Sequence, residues 1–438
     1  MSQSLVERAY ADSKPRITLL EGMLLLIALL FWINYSLVLK LRLVDFLLMI
    51  FLALALPNIR MKFSAPMVLS FVFFVCYTVS AIYGILTIGV TNPNNFLFIY
   101  KYLIIFLLFC VLMNMDLHPQ RVERLRSAVF FSYLVLVIYV FLYLPLRLMG
   151  IVHGTSIRVT FPFSNDIPTV GTVSDAPLYS VVLSTFLVGY LFYPTKPGKG
   201  RVIRKALVAV ATVAGIILGG SRTGLLSLPI TFGVYLWRRF VLAMMRGLTQ
   251  FKRRVLVAVF VLIVVAVTGV LLSSGTLSSG TSLALNVGRA FSFGMDDSVL
   301  GRVTKTTYVL QTVSSGLVIF GVGMQSAEHT WIDNGYAAVI LAAGFGGLLA
   351  LLLAIFFFLR DSRTAALRNG TMRYYDGLEY VFLNWMVCCF TSEYFLVTRG
   401  LVPFALLAAL YHFKIRNGTD HGDPTAALAR AAGSPGRK

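Results

Sequence analysis

Two stretches of this sequence carry the side chains that anion and hydroxyl chemistry would need. The first is Gly219-Gly220-Ser221-Arg222-Thr223-Gly224, a turn between two apolar runs. A guanidinium presents a planar bidentate fork and keeps its proton, so Arg222 suits a phosphate or a diphosphate. Ser221 and Thr223 add hydroxyl donors, and the glycines let backbone approach a ligand closely. The second stretch runs from Arg289 and Arg302 through Gly321-Val322-Gly323-Met324 to Glu328-His329 and Asp333-Asn334-Gly335-Tyr336. An imidazole with a neighbouring carboxylate can take a proton from a hydroxyl near neutral pH, which makes His329 the candidate base and His153 a competing one. Several cations and one base fit group transfer from a lipid-linked phosphate donor.

Each of these residues also has a plainer reading. Arg222 could snorkel or pair with Asp175 or Glu393, and a loop histidine is often only solvated. Arg289 and Arg399 could be juxtamembrane anchors, and Trp331, Tyr336 and Phe291 could belong to an interfacial aromatic belt rather than stack on sugars. Asp296-Asp297 reads as a solvated turn, because no His or Cys accompanies it at ligand spacing. Gly321-x-Gly323 is not a dinucleotide motif, since no strand precedes it within a βαβ unit. No metal or other cofactor is expected.

The elements that must position these residues are membrane helices. The 438-residue chain is 58% apolar and 13% charged, against roughly 45–50% and about 25% in soluble domains. Runs 46–57, 64–92, 127–146 and 255–286 carry no charged residue. That excludes a soluble globular protein and predicts an all-α polytopic membrane protein of about twelve transmembrane helices. The expected spans are 18–39, 43–57, 66–89, 96–114, 128–149, 174–193, 206–220, 223–240, 255–272, 334–359, 377–396 and 400–414. Residues 1–416 read as a single membrane domain and the polar tail 417–438 as disordered. Cys76, Cys110, Cys388 and Cys389 all fall inside spans and read as apolar packing residues.

Charge sets the orientation. The net charge of +20 would suggest a nucleic-acid partner in a soluble protein. Beside membrane spans, Lys and Arg instead mark the cytoplasmic side, and no nucleic acid is expected. With the N-terminus inside, segments 1–17, 58–65, 115–127, 194–205, 241–254, 360–376 and 415–438, with adjoining span ends, hold 28 of the 38 Lys and Arg. Both termini are then cytoplasmic, while Lys40 and Arg42 stand on the other side. Segments 150–173, with Arg158, and 273–333, with His329 and its companions, face the periplasm or exterior. Within the second, residues 300–320 suit an amphipathic helix lying on the membrane surface. The span before Arg222, about fifteen residues from Ala206, reaches roughly 22 Å, short of the ~30 Å hydrocarbon core. Arg222 is thereby expected below the outer surface, where a charge is costly unless it faces protein, water or a partner anion.

The Gly-Ser-Arg-Thr-Gly turn at 220–224, the long loop before the third-last span, and the run Arg302 … Gly321-Val322-Gly323 … His329 … Asp333-Asn334-Gly335-Tyr336 carry a resemblance. The chain resembles the O-antigen ligase and Wzy-type polysaccharide polymerase superfamily of bacterial inner membranes. Arg222 to Leu226 is similar to that family's Arg-x-x-x-Leu motif, and Arg158 … Phe163-Ser164-Asn165 to another of its loops. The likeness covers residues 150–360 by motif and the whole chain by topology. It implies a helical fold of the lipid-dependent membrane glycosyltransferase type and metal-independent transfer from a glycan on undecaprenyl diphosphate. By that resemblance Arg222 and Arg302 bind the diphosphate, and His329 activates the acceptor hydroxyl, with Glu328 orienting it or acting as an alternative base. Arg289, Ser221 and Thr223 are further diphosphate candidates; Arg158, Asp333, Asn334, Tyr336 and Arg399 are candidates for the substrate. Flippase and chain-length regulator proteins are the implied partners. The family's ligases commonly place a Gly at set spacing after the His, whereas here the first Gly after Gly335 is Gly344, which favours a polymerase of exopolysaccharide or O-antigen repeat units over a ligase onto lipid A core. A transporter or lipid flippase, the third reading, would hold its charged site near the midplane between repeats; no internal repeat is visible here.

Overall fold

The computed structural model describes residues 18–33, 36–38, 41–87, 94–149, 176–195, 198–218, 222–244, 304–305, 307–309, 311, 320–321, 334–390 and 398–418. Helix α1 (Leu19–Leu30) opens on a capping box. The Thr18 hydroxyl accepts from the Glu21 amide at 3.4 Å, and the Glu21 carboxylate accepts from the Thr18 amide at 3.2 Å. Strand β1 (Ser36–Val38) then pairs antiparallel with β2 (Leu41–Arg42). Helix α2 (Leu43–Ala55) starts at once, with the Asp45 carboxylate accepting from the Arg42 amide at 3.0 Å. There follow α3 (Ala65–Thr87), α4 (Asn94–Asn114), α5 (Pro119–Leu148), α6 (Ala176–Phe192), α7 (Lys199–Leu218) and α8 (Arg222–Met244). Helices α9 (Gly335–Asn369), α10 (Met372–Cys389) and α11 (Thr398–Asn417) complete the eleven helices whose full bounds lie among the described residues. Helices α3, α5 and α9 contain stretches long and apolar enough to cross a membrane, and α1, α2, α4 and α6 are shorter apolar helices. The fold is that of a helical membrane protein.

Each expected span contains a helix except 255–272, which lies outside the described residues together with the loop 150–173 and the tail from residue 419. Several boundaries differ: α9 continues to Asn369 past its expected end at 359, α10 begins at Met372 rather than 377, and three others differ for evident physical reasons. The first span ceases to be helical at Leu30; beyond it Leu39-Lys40-Leu41-Arg42 alternates apolar and polar side chains, the period of a strand rather than a helix. Helix α5 begins nine residues early at Pro119, a residue that suits a first helical turn because its missing N–H is not needed there. Helix α7 begins at Lys199 instead of Ala206, so its twenty residues span about 30 Å and shortness alone no longer sinks the Arg222 turn. The part of α7 packed into the bundle, from Lys205 onward, still covers only about 20 Å.

Helix α9 is broken. Gly344 has φ 70° and ψ −179°, a conformation that interrupts the helical hydrogen-bond ladder. Against the break lies Gly321, itself at φ 79°. A Cβ on Gly321 would stand 2.6 Å from both the Gly344 nitrogen and the Leu341 oxygen. Gly344 is nine residues, about 14 Å, along α9 from Gly335. The sequence places Gly321 in the outer segment 273–333; the structure buries it beside α9 at that depth. Of the expected surface helix at 300–320, the described residues 304–305, 307–309 and 311 are helical, and Val309 is fully buried.

Polar contacts collect the basic segments at one end of the bundle. There Arg121 pairs with Glu21, Lys414 with Glu123, and Arg416 with Asp116 at 2.6 Å. The Lys62 amide donates to Asn114 at 2.8 Å, and Asn369 donates to the Ile415 carbonyl at 2.9 Å. The Lys205 amine donates to the carbonyls of Leu191 and Tyr193 at 2.9 and 3.0 Å, closing the C-terminal end of α6. The Tyr193 ring in turn touches Tyr374 and Tyr411, and Arg238 ties α8 to Glu379 of α10 at 2.7 Å. Segments 58–65, 115–127, 194–205, 360–376 and the start of 415–438 thus share a single face, as far as they are described.

Candidate functional site

The opposite end of the bundle gathers the starts of α6, α8, α9 and α11 and the end of α10. Arg222 is the first residue of α8, so its backbone stands at the positive end of that helix, among amides with no helical partner. Thr223 follows and is buried. At Gly224 α8 packs tightly on α6: a Cβ there would stand 2.8 Å from the Ser180 carbonyl oxygen. Helix α9 is started by Asn334, whose side-chain oxygen accepts from the amides of Tyr336 and Ala337 at 3.0 and 3.1 Å. Tyr336 is half-buried; its hydroxyl donates to the Met386 carbonyl at 3.1 Å, and its ring lies 4.6 Å from Phe390. Gly400, in the first turn of α11, packs on Trp385 of α10 and Leu178 of α6. That packing carries the backbone of Arg399 to the same end.

The structure therefore brings together the helix ends bearing Arg222, Thr223, Asn334, Tyr336 and Arg399. Two of them also hold the helix ends in place. Asn334 caps α9 with its side-chain oxygen, and Tyr336 donates its hydroxyl to α10. Ser221, Arg158, Arg289, Arg302, Glu328, His329 and Asp333 lie outside the described residues, as do the Asp296-Asp297 pair and the side chains of Arg222 and Arg399. Among the described residues, no three His, Cys, Asp or Glu side chains come together.

Below the rim runs a polar seam that the sequence reading missed. Asn384 of α10 is fully buried and donates to Ser184 and Thr185 of α6 at 3.2 and 3.1 Å. Its oxygen accepts from Thr231 of α8 at 3.2 Å, while Ser227 of α8 donates to Ser184 at 3.4 Å. Cys388, one helical turn beyond Asn384, has its sulfur 3.9 Å from the Ser184 oxygen, so this cysteine joins the seam rather than merely filling space. In an apolar bundle such bonds fix how helices rotate and slide against one another. The signal was present in the sequence: a lone amide within the apolar run 380–390, and Ser and Thr residues four apart at 180/184 and 227/231.

Asn384 should therefore be sensitive. Replacing it with Leu leaves the hydroxyls of Ser184, Thr185 and Thr231 without their amide partner, at a cost of about 1–3 kcal/mol. Thermal unfolding of the purified variant in detergent should begin several degrees early. Asn384→Gln, which keeps the amide but adds a methylene, should lose less than Leu if hydrogen bonding is what matters.

Neither a protein-family model nor a curated protein sequence matches this chain.

Proposed function

We propose that this protein is a bacterial inner-membrane glycosyltransferase that polymerises lipid-linked oligosaccharide repeat units into exopolysaccharide or O-antigen. It takes them from undecaprenyl diphosphate at the periplasmic face. In this reading the chain crosses the membrane about twelve times with both termini in the cytoplasm, in the manner of lipid-dependent membrane glycosyltransferases. One observation carries the proposal. The helix start bearing Arg222 shares an end of the bundle with Asn334, Tyr336 and the helix start bearing Arg399, while the ion-paired basic segments occupy the other end. A transporter site at mid-depth is not favoured, because the seam found there is neutral and fully bonded within the protein.

The chemistry follows from the leaving group. The acceptor hydroxyl oxygen forms a bond to the anomeric carbon as that carbon's bond to the diphosphate oxygen breaks. The electron pair leaves with the lipid diphosphate, and the hydroxyl proton passes to His329. Arg222 and Arg302 meet the growing charge on the diphosphate, in a site partly sheltered from water where fixed cations act most strongly. No metal step is required by this scheme.

Two measurements test it. A strain lacking the gene should still make single repeat units but no polymer; polymer that is made and left unattached would instead identify a ligase onto lipid A core or another acceptor. In that strain His329→Ala should slow transfer by roughly 10²–10⁴-fold, the usual worth of a positioned base, with donor binding retained. A full-rate variant would move the base elsewhere.

A further inference from the structure

In the sequence, the glycines around Arg222 suggest backbone that approaches a ligand. At Gly224 the close approach is to α6 instead. A Cβ there would stand 2.8 Å from the Ser180 carbonyl oxygen, 3.1 Å from the Ser180 carbonyl carbon and 3.2 Å from the Ser180 Cβ. Ordinary contact begins at 3.4 Å, so a side chain at 224 must drive the two helices about 0.6 Å apart at this point. Further along α8 the same register is held by hydrogen bonds. Ser227 donates to Ser184 at 3.4 Å, and Thr231 donates at 3.2 Å to Asn384, which is itself bonded to Ser184 and Thr185. Pro229 has no N–H to give the Leu225 carbonyl, so the first turn of α8 is joined to the rest by one bond fewer. A push at 224 therefore tilts the first turn while residues 227 and 231 stay seated. Arg222, two residues or about 3 Å beyond the push, moves with that turn.

We propose that Gly224 is a positioning residue for Arg222. Its missing side chain lets the first turn of α8 sit on Ser180, and that seat sets where Arg222 stands relative to the starts of α6, α9 and α11. Gly224 acts through Arg222 and not on the substrate. The inference rests on the diphosphate role proposed for Arg222.

The test is a double-mutant cycle on the purified full chain in detergent. The donor is lipid-linked repeat units extracted from the strain lacking the gene, and single transfers are counted. Gly224→Ala alone should lower kcat toward the 10²-fold that about an ångström of misplacement costs, with KM little changed. In protein that already carries Arg222→Ala, the same change should alter the rate by less than about twofold, since no guanidinium is left to misplace. Gly189→Ala is the packing control: a Cβ there would stand 2.8 Å from Leu407, but from the tip of a flexible side chain near the other end of α6. It should leave kcat within about twofold of wild type. Losses that multiply in the double variant overturn the proposal, because Gly224 would then act independently of Arg222. A wild-type kcat in Gly224→Ala overturns it, as does an equal loss in Gly189→Ala. So does a Gly224→Ala protein that fails to insert, since the whole helix would then carry the push. A full rate in Arg222→Ala removes the diphosphate role itself, and this inference with it.

Discussion

On the proposed function, Arg222→Ala should abolish long glycan while the protein inserts at its normal level. The expected loss is about 10²–10³-fold in transfer rate, the usual effect of deleting one fixed donor to a developing oxyanion. Normal insertion is expected because Arg222 stands at the first position of α8 rather than in its interior. Arg222→Lys is the sharper experiment. Lysine keeps the charge but presents a point donor in place of a planar fork, so it should fail nearly as badly if the partner is a diphosphate. Glycan ladders on gels, with protein level measured in parallel, read both variants. Full chain length with Ala would remove Arg222 from the diphosphate role, and full rescue by Lys would reduce its contribution to simple charge.

The second large effect concerns the break in α9. Gly321→Val should disrupt the protein, because two penalties coincide. Its φ of 79° is a left-handed conformation that a β-branched residue resists, at a cost of about 1–3 kcal/mol. The added Cβ would also press on backbone atoms of Gly344 and Leu341 at 2.6 Å, and backbone cannot rotate aside as a side chain can. Thermal unfolding should fall by many degrees, and the strain should make little or no polymer. Gly344→Ala should act in the same direction, since its φ of 70° is also left-handed. If both variants unfold at the wild-type temperature, the close approach between the loop and the broken helix is absent in the working protein.

These two predictions differ in how much of their basis could be read along the chain. Arg222 announced itself by type and setting, as a guanidinium in a glycine turn between apolar runs, because charge within apolar sequence is costly enough to need a reason. The pairing of Gly321 with Gly344 did not. The two glycines are 23 positions apart, and each alone resembles the many glycines tolerated in membrane helices and loops. Asn384 lies between these cases: its isolation in an apolar run was visible, but its partners on α6 and α8 were not.

Composition and period alone determined that this is a helical membrane protein and, to within a few residues, where most of its helices lie. Apolar burial depends on the local run of side chains, and capping residues such as Thr18, Asn334 and Gly370 act within a turn of their own position. The tertiary structure alone decided which helix ends meet, and that a glycine from the long loop reaches a broken helix about 14 Å below its start. Those outcomes rest on contacts between residues distant in sequence, whose energies depend on packing geometry and leave no periodic trace along the chain.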